Sequence, residues 1–133
     1  MPMIEVELIG DVASGTRRGL AARIANGVAV VLHAEPQSVW VRLRFTPLSD
    51  YAENDPAPGA VPGGPSPKGA SSQQPVFVKL LKRSWPARNE MKGEVRALTT
   101  AIGAACGRPA DDVHIFYEPP GEGRAAFGGK LVE

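Results

Sequence analysis

The chain has 133 residues, a length that suits one domain able to bury a substantial core. Charged residues make up 22% and the formal net charge is +1; the arginines are scattered, with no basic stripe interleaved with aromatics, which argues against nucleic acid and membrane-surface binding. No apolar run reaches spanning length, Glu5 and Glu7 make the start unlike a secretory leader, and the single Cys106 has no disulfide partner and no metal-ligand spacing, so a cytoplasmic protein without a membrane segment is expected.

Directly after Pro2, apolar Ile4, Val6 and Leu8 alternate with Met3, Glu5 and Glu7, the period of a strand with one buried face. Residues 10–16 read as a turn, with Ser14 or Thr16 as candidate helix caps. A helix is predicted over 16–33, where Leu20, Ile24, Val28 and Val31 form one stripe, and Pro36 closes it. A second strand follows over 39–45: Val39, Val41 and Leu43 face one way, Trp40, Arg42 and Arg44 the other. The composition then changes. Residues 48–74 include a Pro/Gly-rich run that excludes regular structure, and a mobile linker is expected there.

The plan then repeats. A strand is predicted over 75–81, a turn over 82–86, and a helix whose stripe is Met91, Val95, Leu98, Ile102 and Ala105, with Cys106 as apolar filler. Gly107 caps that helix and Pro109 follows. Residues 113–117 form the last long strand, and a turn over 118–123 leads into the tail 124–132. The interval from Pro2 to Pro36 equals that from Pro75 to Pro109, so one domain is expected from repeat one (2–47), the linker (48–74) and repeat two (75–133). Two β-α-β units with right-handed crossovers can build a four-stranded mixed sheet with both helices on one face, an α+β two-layer sandwich. The other face would carry Trp40, Arg42, Arg44, Phe77, His114 and Phe116, too apolar in places to face water alone, so burial in an oligomer is expected.

Pro2 is also the chemical feature. Removal of Met1 would leave it with a free secondary amine; an α-amino group titrates near ~7.7–8.0, and burial or nearby cations lower that value. A base poised near neutral pH suits proton transfer beside a carbonyl. Met-Pro is equally a common start with no chemical role. His33 ends the first predicted helix, where it suits the helix dipole.

Taken together, Met1-Pro2 opening into a strand, the doubled β-α-β plan, Lys82-Arg83-Ser84 after the third strand and Phe127-Gly128-Gly129-Lys130-Leu131 near the end resemble the tautomerase superfamily. That superfamily includes 4-oxalocrotonate tautomerase, malonate semialdehyde decarboxylase and macrophage migration inhibitory factor. The resemblance covers both repeats but not the linker. It implies a homotrimer, an amino-terminal proline in a pocket at a subunit boundary, and no metal or organic cofactor. It further implies that arginines bind the carboxylate of a small substrate. Arg83 is the first candidate, and Arg88 a second. Single-repeat members carry an arginine on the strand after the first helix; the matching position here is Trp40, with Arg42 two residues on. Arg42 and Arg44 could instead pair with Glu5 and Glu7. Tyr117 could orient a substrate oxygen, Phe127 and Trp40 could wall the pocket, and Arg124 could approach it.

The expected function is keto–enol tautomerisation of a small 2-oxo or 2-hydroxy-enoic acid, with Pro2 as general base and acid and Arg83, helped by Arg88 or Arg42, on the carboxylate. The alternatives keep the fold: a hydratase or decarboxylase with cationic Pro2, for which the sequence offers no clear water-activating acid beyond Glu118, or a non-catalytic oligomeric binding protein.

Overall fold

A computed structural model of the chain describes residues 2–55 and 74–133. Met1 and residues 56–73, which hold most of the expected linker, lie outside the described residues. Four strands, β1 (Met3–Ile9), β2 (Trp40–Thr46), β3 (Val76–Leu81) and β4 (Val113–Tyr117), form one sheet in the order β2-β1-β3-β4. β1 runs parallel to β2, and β3 parallel to β4; the central pair, β1 and β3, is antiparallel, so the sheet is mixed. The same separation in sequence joins Met3 to Trp40 and Val76 to Val113. Val6 lies opposite Val78 at the middle of the central pair, and the two halves are related about that point.

Alternation decides the faces. Ile4, Val6 and Leu8 of β1 and Val76, Val78 and Leu80 of β3 are buried at 0–1% exposure. They pack under two helices, α2 (Leu20–Leu32) through Leu20, Ile24 and Val28, and α3 (Arg88–Cys106) through Leu98, Ile102 and Cys106. Each such aliphatic side chain contributes about 1.5–3 kcal/mol of burial, so this shared layer, fed by both repeats, dominates the fold. The opposite face carries Trp40, Arg42, Arg44, Phe77, His114 and Phe116 as alternation requires; Trp40 is 45% and Phe116 62% exposed in the single chain.

The sequence expectation departs from the structure in three places. The helix expected over 16–33 is two pieces, a short α1 (Ser14–Arg17) and α2, because Gly19 takes the left-handed conformation (φ 67°) between them. Neither Ser14 nor Thr16 caps it: the N-cap is Ala13, with no side-chain bond. Arg23 supports the break instead, donating to the carbonyls of Arg18 and Thr16. The second strand begins at Trp40, one residue late, although Val39 still packs on the core. Within 48–74, a 3-10 turn spans Leu48–Asp50, and the Tyr51 ring packs 6.0 Å from that of Phe77 on the open sheet face. The tail ends in a hairpin of β5 (Ala126–Phe127) and β6 (Lys130–Leu131), turned by Gly128 and Gly129 with φ of 59° and 83°, values that glycine adopts without strain.

Candidate active site

Pro2 precedes β1, is buried, and accepts the Trp40 amide hydrogen on its carbonyl at 3.0 Å, which fixes the chain start between β1 and β2. Because β3 runs antiparallel to β1, with Leu81 opposite Met3, its last residue delivers the 82–86 turn beside Pro2. The loop after α2 closes the third side. The three segments enclose a cleft of about 390 Å³ that Pro2 shares with Glu35, Ser38, Lys82, Arg83 and Trp85. Both repeats therefore build it, through residues distant in sequence.

Local bonding shapes each wall. After α2 the chain turns at His33 and Gln37, both with positive φ (51° and 61°). The Ser38 amide and hydroxyl donate to the Glu35 carbonyl at 3.2 and 2.6 Å, which fixes the turn carrying the Glu35 carboxylate. On the facing wall, the Gly121 amide donates to the Lys82 carbonyl (2.8 Å) and the Glu122 amide to the Arg83 carbonyl (3.1 Å). Trp85 donates its indole hydrogen to the Glu118 carbonyl at 3.0 Å.

The two cations on this wall differ. Lys82 Nζ lies 2.7 Å from Glu94 Oε1, with the two side chains 20% and 14% exposed. Glu94 Oε2 also accepts the Tyr117 hydroxyl hydrogen at 2.5 Å. Burial first, then this bond and the carboxylate charge, push the Tyr117 phenol far above its ordinary range. Arg83 is 61% exposed and only loosely paired, 3.6 Å from Glu122.

Of the side chains expected in the site, a single chain brings Pro2 and Arg83 into this cleft; the others lie elsewhere. Arg42 pairs with Glu5 (3.4 Å), as does Arg44 (3.5 Å), and Arg42 lines a second cleft of about 310 Å³ on the open sheet face with Lys79 and Arg124. Trp40 packs edge-on against Phe127, ring centres 5.1 Å apart, and its indole donates to the Gln37 carbonyl (3.2 Å). Arg88 opens α3, is exposed, and lines a shallow groove along that helix with half-buried Met91 and Val95. Tyr117 faces α3 and is engaged by Glu94. Arg124 holds the carbonyls of Pro119 and Pro120 at 2.7 and 2.9 Å.

Sequence reasoning missed Lys82, Glu35 and Glu94. Glu35 hides in a helix-stop signal before Pro36, and Glu94 among the polar positions of α3. The antiparallel pairing of β1 with β3 is what carries the 82–86 turn to Pro2, and no local pattern announces it. Among the described residues, no group of three or more His, Cys, Asp or Glu side chains could hold a metal ion. Nor, among them, is any helix long and apolar enough to cross a membrane.

No family model matches the chain, and no curated protein matches it. Solved structures do. The structure of FG41 malonate semialdehyde decarboxylase inhibited by 3-bromopropiolate is 18% identical, with a TM-score of 0.67 over 95% of this chain and 90% of that one. A fused 4-OT symmetric trimer is 16% identical, with a TM-score of 0.69 over 97% and 94%. Leishmania major MIF2 is 16% identical, with a TM-score of 0.60 over 98% and 97%. The fold of this chain, a mixed four-stranded sheet under paired helices, is thus the one those three structures share.

Proposed function

We propose that the chain is a cofactor-independent tautomerase acting on a small 2-oxo or 2-hydroxy-enoic acid. The supporting observation is that Pro2 and Arg83 line one cleft of about 390 Å³. With Met1 removed, the neutral Pro2 amine takes the enol hydroxyl proton as the carbonyl forms, and the resulting ammonium returns a proton to the carbon at the far end of the conjugated system. Arg83, exposed and loosely held, binds the substrate carboxylate and stabilises charge drawn toward it. The reading includes one domain made from the two repeats, assembled as a homotrimer; the trimeric fused 4-OT neighbour and the exposed Trp40 and Phe116 on the open sheet face support that assembly.

One observation favours a second reading. Glu35 borders the same cleft, so a chain in which Pro2 stays cationic would have an acid in Pro2 and a water-activating base in Glu35, the pair that hydration of a short unsaturated acid needs. Decarboxylation of a 3-oxo acid would instead draw on the Pro2 cation to polarise the carbonyl as CO2 leaves.

Intact mass of the natively expressed protein, with phenylpyruvate and 2-hydroxymuconate ketonisation assayed on the same sample beside Pro2→Ala, tests both readings. A clipped chain whose turnover depends on Pro2 supports the tautomerase. A clipped chain inert to both acids, but with Glu35-dependent hydration of a propiolic acid, moves the assignment to the second reading. Retained Met1 without activity leaves a binding protein.

A further inference from the structure

Lys82 enters the cleft with its charge already engaged. Its ammonium meets Glu94 at 2.7 Å, and the other Glu94 oxygen is taken by Tyr117 at 2.5 Å, so the end of β3, the second turn of α3 and the end of β4 converge on one carboxylate. Both charged side chains are largely buried, at 20% and 14% exposure. A buried ion pair adds little stability over apolar residues of the same volume, so stability alone does not account for one set at the edge of the cleft that holds Pro2. We propose that Lys82, Glu94 and Tyr117 form a unit that sets the proton affinity of the Pro2 amine: Lys82 supplies the cation at the cleft, and Glu94, anchored by Tyr117, positions that cation and offsets its charge. The inference rests on Pro2 being the reacting amine.

The other charges around Pro2 are differently placed. Glu35 comes from the loop after α2 and is exposed; Arg83, from the same turn as Lys82, is exposed and paired with exposed Glu122. On β1 itself, Glu5 faces the open sheet face, where Arg42 and Arg44 engage it. Water screens the exposed groups, whereas the drier Lys82–Glu94 pair acts through a lower local dielectric. Removing one member therefore leaves an unbalanced charge that the amine feels. Lys82→Gln leaves the Glu94 carboxylate, which favours the Pro2 ammonium and raises the amine's pKa. Glu94→Gln leaves the Lys82 ammonium, which disfavours it and lowers the pKa.

The test follows the Pro2 nitrogen by carbon-detected NMR of 15N-proline-labelled protein across pH, in the parent chain, in Lys82→Gln, in Glu94→Gln and in the double variant. Opposite shifts of about one unit in the single variants, cancelling in the double, are expected, and the acid limb of kcat/KM should move with them. A merely structural disturbance would not reverse sign between the two. Shifts of one sign, or none in either variant, overturn this inference while the Pro2 reading stands. A Pro2 nitrogen that does not titrate, or full turnover in Pro2→Ala, overturns both. Should one single variant fail to fold, the other still decides, because the sign of its shift is fixed in advance: upward in Lys82→Gln, downward in Glu94→Gln.

Discussion

Arg108 and Ile9, 99 residues apart in sequence, are joined by a hydrogen bond of 2.7 Å from the guanidinium Nη1 to the main-chain carbonyl. The same nitrogen donates to the Gln74 carbonyl at 2.7 Å, and Nη2 reaches that of Asp11 at 3.3 Å. One side chain thus ties the exit of β1, the entry to β3 and the corner after α3. A part-buried carbonyl stripped of its donor costs about 1–3 kcal/mol. Arg108→Met should therefore lower stability by about 2–3 kcal/mol in urea unfolding, with Arg108→Lys recovering part of it. A loss below about 0.5 kcal/mol would mean that water replaces the guanidinium at these carbonyls.

Two helix glycines should respond to alanine with opposite sign. At Gly27 of α2 an added Cβ would meet the Ala101 methyl at 3.7 Å, ordinary contact at the α2–α3 crossing, so Gly27→Ala should gain about 0.5–1 kcal/mol from helix propensity. At Gly103 of α3 the same atom would stand 2.8 Å from the Arg108 carbonyl, which is backbone and cannot step aside cheaply. Gly103→Ala should cost about 1–3 kcal/mol despite its better propensity. Thermal melts of the two variants settle it: equal signs would show that the corner after α3 yields more readily than its bonding suggests.

Burial pushes the Cys106 thiol up to about 11, with Arg108 and Arg23 pulling weakly the other way. The thiol, not the thiolate, is then the folded form at pH 8, and Cys106 should react with a disulfide reagent orders of magnitude more slowly in the native protein than in urea. The linkage has a definite sign. A raised folded pKa adds stability that is present below the unfolded value of about 9 and lost as pH rises through about 11. Cys106→Ala should flatten that alkaline decline, and rapid native labelling at pH 8 would contradict the packing of the last turn of α3.

What was legible in the sequence was whatever repeats locally. Ile4, Val6 and Leu8 against Glu5 and Glu7, and Leu98 and Ile102 a helical turn apart, announce their faces by period alone, and the doubled plan follows. Gly19 was not readable as a helix break, because an isolated glycine within a helical stripe is usually tolerated and only its backbone angle shows the interruption. The site was half legible. Pro2 stands out chemically and Arg83 follows the third strand, but Lys82, Glu35 and Glu94 gain meaning only once antiparallel β1 and β3 bring their chain segments together. Arg42 takes the pairing with Glu5 that strand neighbours already offered, whereas the hold of Glu94 on Tyr117 has no local signal in the sequence.

Arg83 differs from its neighbour Lys82 in being free to exchange partners, and that difference is measurable. Its link to Glu122 spans 3.6 Å between side chains 61% and 56% exposed, an arrangement worth little in water. A substrate carboxylate that forks onto the guanidinium offers two charge-assisted bonds in place of that loose contact. Arg83→Gln should therefore reduce kcat/KM for a 2-hydroxy-enoic acid by about 10–100-fold, mostly through KM, and Arg83→Lys should recover only part of it because an ammonium cannot bind both oxygens in one plane. Glu122→Gln removes an internal competitor, so KM should fall about twofold or more while stability changes by no more than about 0.5 kcal/mol. The paired outcome matters. A higher KM in Arg83→Gln with a lower one in Glu122→Gln identifies Arg83 as the carboxylate anchor; unchanged KM in both would move that anchor to a cation outside this wall, with Arg42 and Arg124 of the second cleft next to be replaced.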